Sequence, residues 1–236
     1  YTQNWCTRTA NNIWDQHGYA AGSDAAGEIW RSHYWSIGKN VDLIVDDATA
    51  KEQWDYVGAA LAIRAWSWQR TTDQHGEIIL KEAWEPNRYV FDYDTQDEVY
   101  AEVVRVANLA LDNLNKTGAA VDEASLGRGD LVYKGNRAKW IKFVYGVLAR
   151  NAHRLTNKST YDPAKVIEYV DKSFTSNADN FAVPHAGTSS SDGNFYGPTR
   201  NNLANFRPTK FIVGLLDGTT FKGVKDPRIS LMLAPS

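Results

Sequence analysis

The sequence predicts an all-α protein, an α-α superhelix of tetratricopeptide-like helix pairs with long loop excursions. Three observations carry this. Apolar residues recur at helical spacing in one segment after another, with little convincing strand pattern. Helix-start signals precede several of these segments. Short connections inside a pair make neighbouring helices antiparallel, and pairs of helices of about 15–20 residues stack into superhelices. The tetratricopeptide consensus residues are not present, so the inference concerns architecture alone.

Residues 1–24 hold no period of 2 or 3.6 and read as loop. From about Ala25 a helical pattern places Ile29, Trp30, Ile37, Val41 and Ile44 on one broad stripe. Asp46 to Glu52 reads as a further helix start, with Thr49 and Glu52 at capping-box spacing. Trp54, Val57, Leu61, Ala65 and Trp68 follow at helical spacing, and that helix should stop before His75-Gly76. Residues 76–94 read as an extended excursion. Thr95 and Glu98 form a second capping box, ahead of Val99, Val103, Val106, Ala110 and Leu114 and a close at Thr117-Gly118. The glycines of 118–136 mark a loop. A helix from Arg137 puts Ile141, Val144, Leu148, Ala152 and Leu155 on one face. Asp162-Pro163 is a cap followed by proline at the first helical position, opening a helix carried by Val166, Ile167, Val170 and Phe174. After a polar stretch from Ala178 to Phe206, a last helix spans roughly Thr209–Leu216, and Asp226-Pro227-Arg228 starts one more short turn.

The 236 residues suffice for one large domain or two small ones. With 26 basic and 28 acidic residues, the near-neutral surface argues against nucleic acid or anionic lipid held by bulk electrostatics. The single Cys6 excludes an intrachain disulfide and any multi-cysteine zinc site. No apolar run approaches the ~18 residues of a membrane span. The chain starts at Tyr1 without a methionine and stops at Pro235-Ser236, which reads as a piece of a longer protein; a missing targeting signal then carries no meaning.

Signatures of chemistry are sparse. The five histidines are scattered, and no pair falls at i, i+4. Asp92-Tyr93-Asp94 opens like a calcium loop, but its sixth position is Asp97 and its twelfth Val103, where glycine and glutamate belong. Acidic residues leading into a capped helix explain it, and neither metal nor cofactor is expected. No G-x-S-x-G occurs. Gly127-Arg128-Gly129-Asp130 lacks the preceding strand and following GK[ST] of a phosphate cradle. Paired carboxylates act at a spatial separation that sequence does not give, so an α-helical glycoside hydrolase stays open as an alternative.

Aromatic residues are abundant, with nine Trp, twelve Tyr and eight Phe, and several sit in Asn-rich polar surroundings where a core would not put them. Trp5, Arg8, Asn11, Asn12, Trp14 and Asp15 cluster in one loop. Phe195, Tyr196, Arg200, Asn201, Asn202 and Phe206 cluster in another. Flat rings rimmed by Asn, Asp and Arg suit a sugar ring or a peptide. The same rings could equally plug helix ends, as in a scaffold of helical repeats that binds only protein. Trp30, Trp54, Trp68 and Trp140 lie on or beside helix stripes and are assigned to core packing.

Glu28-Ile-Trp-Arg-Ser-His-Tyr-Trp-Ser-Ile-Gly-Lys-Asn40 resembles the SusD/RagB family of outer-membrane lipoproteins of Bacteroidetes. The likeness continues through Gly58 to Trp66, Asp73 to Ile79, Glu98-Val-Tyr100 and Ala110 to Leu114. Gly129-Asp-Leu-Val-Tyr-Lys-Gly-Asn-Arg-Ala-Lys-Trp-Ile-Lys-Phe143, with Leu148-Ala-Arg150 and His153-Arg-Leu155, and Asp226-Pro-Arg-Ile229 complete it. Ile79 replaces a proline usual in the family. The resemblance runs over roughly residues 25–230 and identifies the chain as one SusD-like helical domain, 1–236, whose N-terminal anchor region and C-terminal part lie outside it.

That resemblance implies a cell-surface, lipid-anchored binding protein of the outer membrane, not an enzyme. It would capture glycan oligomers, or alternatively peptides, and deliver them to a SusC-type TonB-dependent transporter. The membrane would be touched only through an anchor upstream of Tyr1, because Cys6 after Gln-Asn-Trp is not a lipobox. The loop before the Glu28 helix and the loop near Tyr196 occupy regions where relatives present ligand-contacting aromatics.

Overall fold

The computed structural model describes residues 5–7, 27–199 and 206–233. The chain divides into two compact units, Ala26–Pro184 and a second formed by Tyr1–Ala25 with His185–Ser236.

The Ala26–Pro184 unit is a stack of helices. It runs α1 (Gly27–Arg31), a π-helical segment (Ser32–Gly38), α2 (Lys39–Ala50), α3 (Trp54–His75), α4 (Gln96–Asn115), α5 (Glu123–Gly129), α6 (Arg137–His153) and α7 (Pro163–Lys172). Successive long helices of the stack are antiparallel. The Gln96 amide reaches the Thr72 carbonyl and the Tyr100 hydroxyl reaches Asp73, so α4 starts where α3 ends. Arg137 donates to the Leu114 carbonyl while Asn151 donates to that of Tyr100, which sets α6 antiparallel to α4. Ser173 donates to the Lys142 carbonyl and His153 meets Tyr161, which does the same for α7 against α6.

The core lies between α3, α4 and α6. Ala62, Ala65 and Trp68 meet Val99, Val103, Val106, Ala110 and Leu114, with Trp140, Phe143, Val144 and Leu148 from the third helix. The α4 stripe is the one its sequence predicts, residue for residue. Its capping box is formed: Thr95 Oγ1 accepts from the Glu98 amide, and the Glu98 carboxylate accepts from that of Thr95. Lys81 and Thr95 hold the Glu98 carboxyl down to about 2. Asp162 caps α7 with Pro163 at its start, also as expected.

Four expectations are corrected. Thr49 and Glu52 do not start a helix. Thr49 lies in the last turn of α2, which ends in a Schellman motif: Gln53 N–H donates to Ala48 O at 2.9 Å, Glu52 N–H donates to Thr49 O at 3.1 Å, and Glu52 takes φ 55°. The stretch 118–136 is not all loop, since Asp122 caps α5 through the Ala124 amide. Gly127 marks a close approach: a Cβ there would stand 2.6 Å from the Lys134 carbonyl oxygen. The stripe from Ala25 is interrupted by the π-helical segment, and Ile44 is exposed while Val41 and Ala48 are buried. Ile167, Val170 and Phe174 are exposed as well, because α7 leans on α6 through Tyr169 against Tyr145. Periodicity names an apolar face without saying what covers it.

In the second unit, β1 (Trp5–Thr7) pairs antiparallel with β2 (Phe206–Pro208). Then come α8 (Lys210–Leu216), over the span predicted and capped by Thr209, and the short α9 (Ile229–Met232) after Asp226-Pro227-Arg228.

Candidate ligand-binding site

The β1–β2 ribbon pairs the start of the first aromatic-polar segment with the end of the second. Trp5 pairs with Pro208, Cys6 with Arg207 and Thr7 with Phe206. Because the strands are antiparallel, the segment continuing from Thr7 and the segment arriving at Phe206 are tethered at the same end of the ribbon. Of the predicted residues, Trp5 contributes backbone to β1. Arg8, Asn11, Asn12, Trp14, Asp15, Arg200, Asn201 and Asn202 lie outside the described residues.

Phe195 and Tyr196 are the two central residues of a β-turn. Gly197 N–H donates to the Asn194 carbonyl at 2.8 Å, and Tyr196 N–H donates to Asn194 Oδ1 at 2.9 Å. Asparagine at the first position and glycine at the fourth are what such a turn selects. Upstream, Asp192 accepts from the Thr188 hydroxyl and the Ser189 amide, and these bonds hold its carboxyl below the usual range. The turn points two rings at Phe206 of the ribbon. Phe195 and Tyr196 lie 5.0 Å apart at 89°, and Tyr196 and Phe206 lie 5.9 Å apart at 77°. Edge-on packing of this kind leaves ring faces uncovered, and Tyr196 is 54% exposed. The arrangement is chemically a stacking platform with a phenolic hydroxyl at its rim. Among the described residues no group of three or more His, Cys, Asp or Glu could hold a metal.

The Ala26–Pro184 unit has a feature that the sequence reading missed. The π-helical segment is held by side chains that bond its carbonyls. Trp84 Nε1–H donates to Tyr34 O at 2.7 Å, Asn40 to Ser36 O at 2.7 Å, and Arg64 to Gly38 O at 2.9 Å. Beneath lies His33, 2% exposed, with Nδ1 2.7 Å from Ser67 Oγ and its ring 4.2 Å from that of Trp68. Burial, and then the nearby Arg64 guanidinium, push its imidazole down to about 3. Outside, Tyr34, Trp35, Ser36, Lys39 and Asn40 line an open depression. Only a wider-than-α turn signals such a segment, and no residue pattern announced it.

The stretch from Gly129 to Trp140 is scaffolding. Asp130 Oδ1 accepts from the Val132 and Tyr133 amides, and Oδ2 accepts from the Gly135 amide and Trp140 Nε1. Tyr133 donates to the Asp179 carbonyl, Lys139 to that of Ala178, and Lys142 pairs with Asp179. Asp94 likewise accepts from the Leu80 and Lys81 amides and pairs with the Lys81 ammonium, which ties the 76–94 excursion to the start of α4.

A family model, SusD-like_2, described as starch-binding associating with outer membrane, matches residues 1–236. The chain belongs to the SusD-like family. A SusD/RagB family protein from Bacteroides thetaiotaomicron is 30% identical over 76% of this chain and 37% of its own, with a TM-score of 0.63. A chitin-binding SusD homolog from Flavobacterium johnsoniae is 22% identical over 97% of this chain and 46% of its own, with a TM-score of 0.75. A SusD homolog from Bacteroides fragilis is 18% identical over 97% and 46%, with a TM-score of 0.70. The last two bear on the fold alone. This SusD-like chain spans less than half the length of each of these three structures. No curated protein sequence matches it. The tetratricopeptide-like helical architecture expected from the sequence is that of the family. Among the described residues no helix is long and apolar enough to cross a membrane.

Proposed function

We propose that the chain is the helical, ligand-capturing part of a lipid-anchored protein on the outer face of the outer membrane. It binds glycan oligomers at equilibrium, without turnover, and hands them to a SusC-type TonB-dependent barrel. The observation that carries this reading is the ribbon: it tethers at one end both segments whose rings and planar polar side chains suit a sugar chain. Tyr196 and Phe195 supply stacking faces, and Asn11, Asn12, Arg8, Asn201 and Asn202 are the expected hydrogen-bonding rim. Family membership and the chitin-binding relative support a glycan over other ligands.

Calorimetric titration with chitin and starch oligomers tests it. Binding should weaken by about 1–3 kcal/mol in Tyr196→Ala and Trp14→Ala, the range of aromatic stacking on other planar ligands. Unchanged affinity in both variants removes these residues from the site. Cleavage products after incubation would replace capture with hydrolysis.

A further inference from the structure

Trp35 is 82% exposed and stacks on no other ring among the described residues. It stands in the π-helical segment, where the wider turn sets residues four and five further along beside it. Those residues are Lys39 and Asn40, and together with Ser36 and Tyr34 they line the depression. Lys39 has no acidic partner among the described residues: the carboxylate of Asp42, three residues on, pairs with Arg64. Asn40 spends its amide N–H on the Ser36 carbonyl, which leaves its own carbonyl oxygen as an acceptor. The segment's shape is enforced, because Trp84 and Arg64 bond its carbonyls from outside and the Trp84 ring fills the space beside Gly38. Rare π turns of this kind often mark functional sites.

We infer that this face is a second saccharide site, selective for an anionic pyranose. The sugar's apolar face stacks on the Trp35 indole, its carboxylate or sulfate meets the Lys39 ammonium, and a ring hydroxyl donates to the Asn40 carbonyl. All of these residues belong to the Ala26–Pro184 unit. The inference rests on the saccharide-capturing reading above and adds a site and a charge preference to it. A protein partner is the competing occupant, since Leu43 and Ile44 are also exposed on α2, but an unpaired ammonium beside a bare indole in a depression favours the anionic sugar.

The test is titration of the intact protein with a galacturonate tetramer, its neutral galactose counterpart and a sulfated galactose oligomer. Tryptophan indole N–H signals are followed by NMR, that of Trp35 being assigned by its loss in Trp35→Ala. The galacturonate oligomer should shift the Trp35 signal, and Trp35→Ala should weaken its binding about tenfold, or about 1.4 kcal/mol. Lys39→Gln should weaken binding of the anionic oligomers several-fold, leave the neutral one unchanged, and lose its effect at high salt. The uronate and sulfate arms show which anion is preferred. A Trp35 signal that stays unshifted while Tyr196→Ala still weakens binding overturns this inference alone. Equal affinities for neutral and anionic oligomers, or self-association of the protein abolished by Trp35→Ala, overturn it too. No binding of any oligomer overturns the capture reading with it.

Discussion

The Trp84 indole fills the space beside Gly38 that any side chain there would need. The same ring donates through Nε1 to the Tyr34 carbonyl at 2.7 Å and carries the Arg64 guanidinium 5.1 Å from its centroid. Trp84 accepts a left-handed backbone, φ 63°, to do this. Gly38→Ala must therefore expel the ring or bend the helix, which costs about 1–3 kcal/mol in urea unfolding. Lys39→Ala, one residue on and exposed, should leave stability within about 0.5 kcal/mol of the parent.

Glu52 holds a position that glycine fills best. Its φ of 55° completes the Schellman motif that ends α2, and its side chain is exposed. Relief of the left-handed strain makes Glu52→Gly stabilising by about 1 kcal/mol, read as a higher midpoint of thermal or urea unfolding.

The Asp130 carboxylate serves four N–H donors, one of them the indole of the buried Trp140. Asp130→Ala should cost about 3 kcal/mol, since it leaves several donors without an acceptor. Asp130→Asn keeps one carbonyl oxygen and should cost less. Unfolding curves of the two variants in parallel check the order.

His33 makes stability depend on pH. The unfolded imidazole takes up a proton near 6.5, whereas burial and then Arg64 keep the folded one neutral down to about 3. Between those values the unfolded state binds the extra proton. The contribution is complete above pH 6.5 and is lost as pH falls towards 3, by up to about 1.4 kcal/mol per pH unit. His33→Asn, which keeps a partner for Ser67, should flatten the fall in urea-unfolding stability across that window. An unchanged slope would mean that other groups produce it.

Much of the helical stack was legible because its signals are local. Thr95 and Glu98 are three residues apart and satisfy each other's backbone, so their pattern needed nothing distant. Thr49 and Glu52 show the limit of that logic. The same two residue types at the same spacing close a helix already running through them, and only the upstream chain decides between start and stop. Gly127 misled for a related reason: its lack of a side chain serves contact with Lys134, not a turn.

The candidate site was half legible. Phe195 and Tyr196 stand out as rings in polar sequence, and Asn194 and Gly197 announce the turn that displays them. The ribbon joining their segment to Trp5–Thr7 left no trace, because three residues per strand are too few for a period and the partners are 201 positions apart at Cys6 and Arg207. Trp35 was hidden differently. Within a regular helix Lys39 would already lie beside it, and the wider π turn is what adds Asn40 to the same side.

The three-pair clasp has an evolutionary corollary. Its three residue pairs, Trp5 to Thr7 with Phe206 to Pro208, include none of the residues that form the helical core. Substitutions in the ribbon therefore remove no side chain from the Val99–Leu114 stripe or from the helices facing it. A chain built this way can vary the side chains of its ribbon over generations without drawing on the buried contacts that hold its helices together.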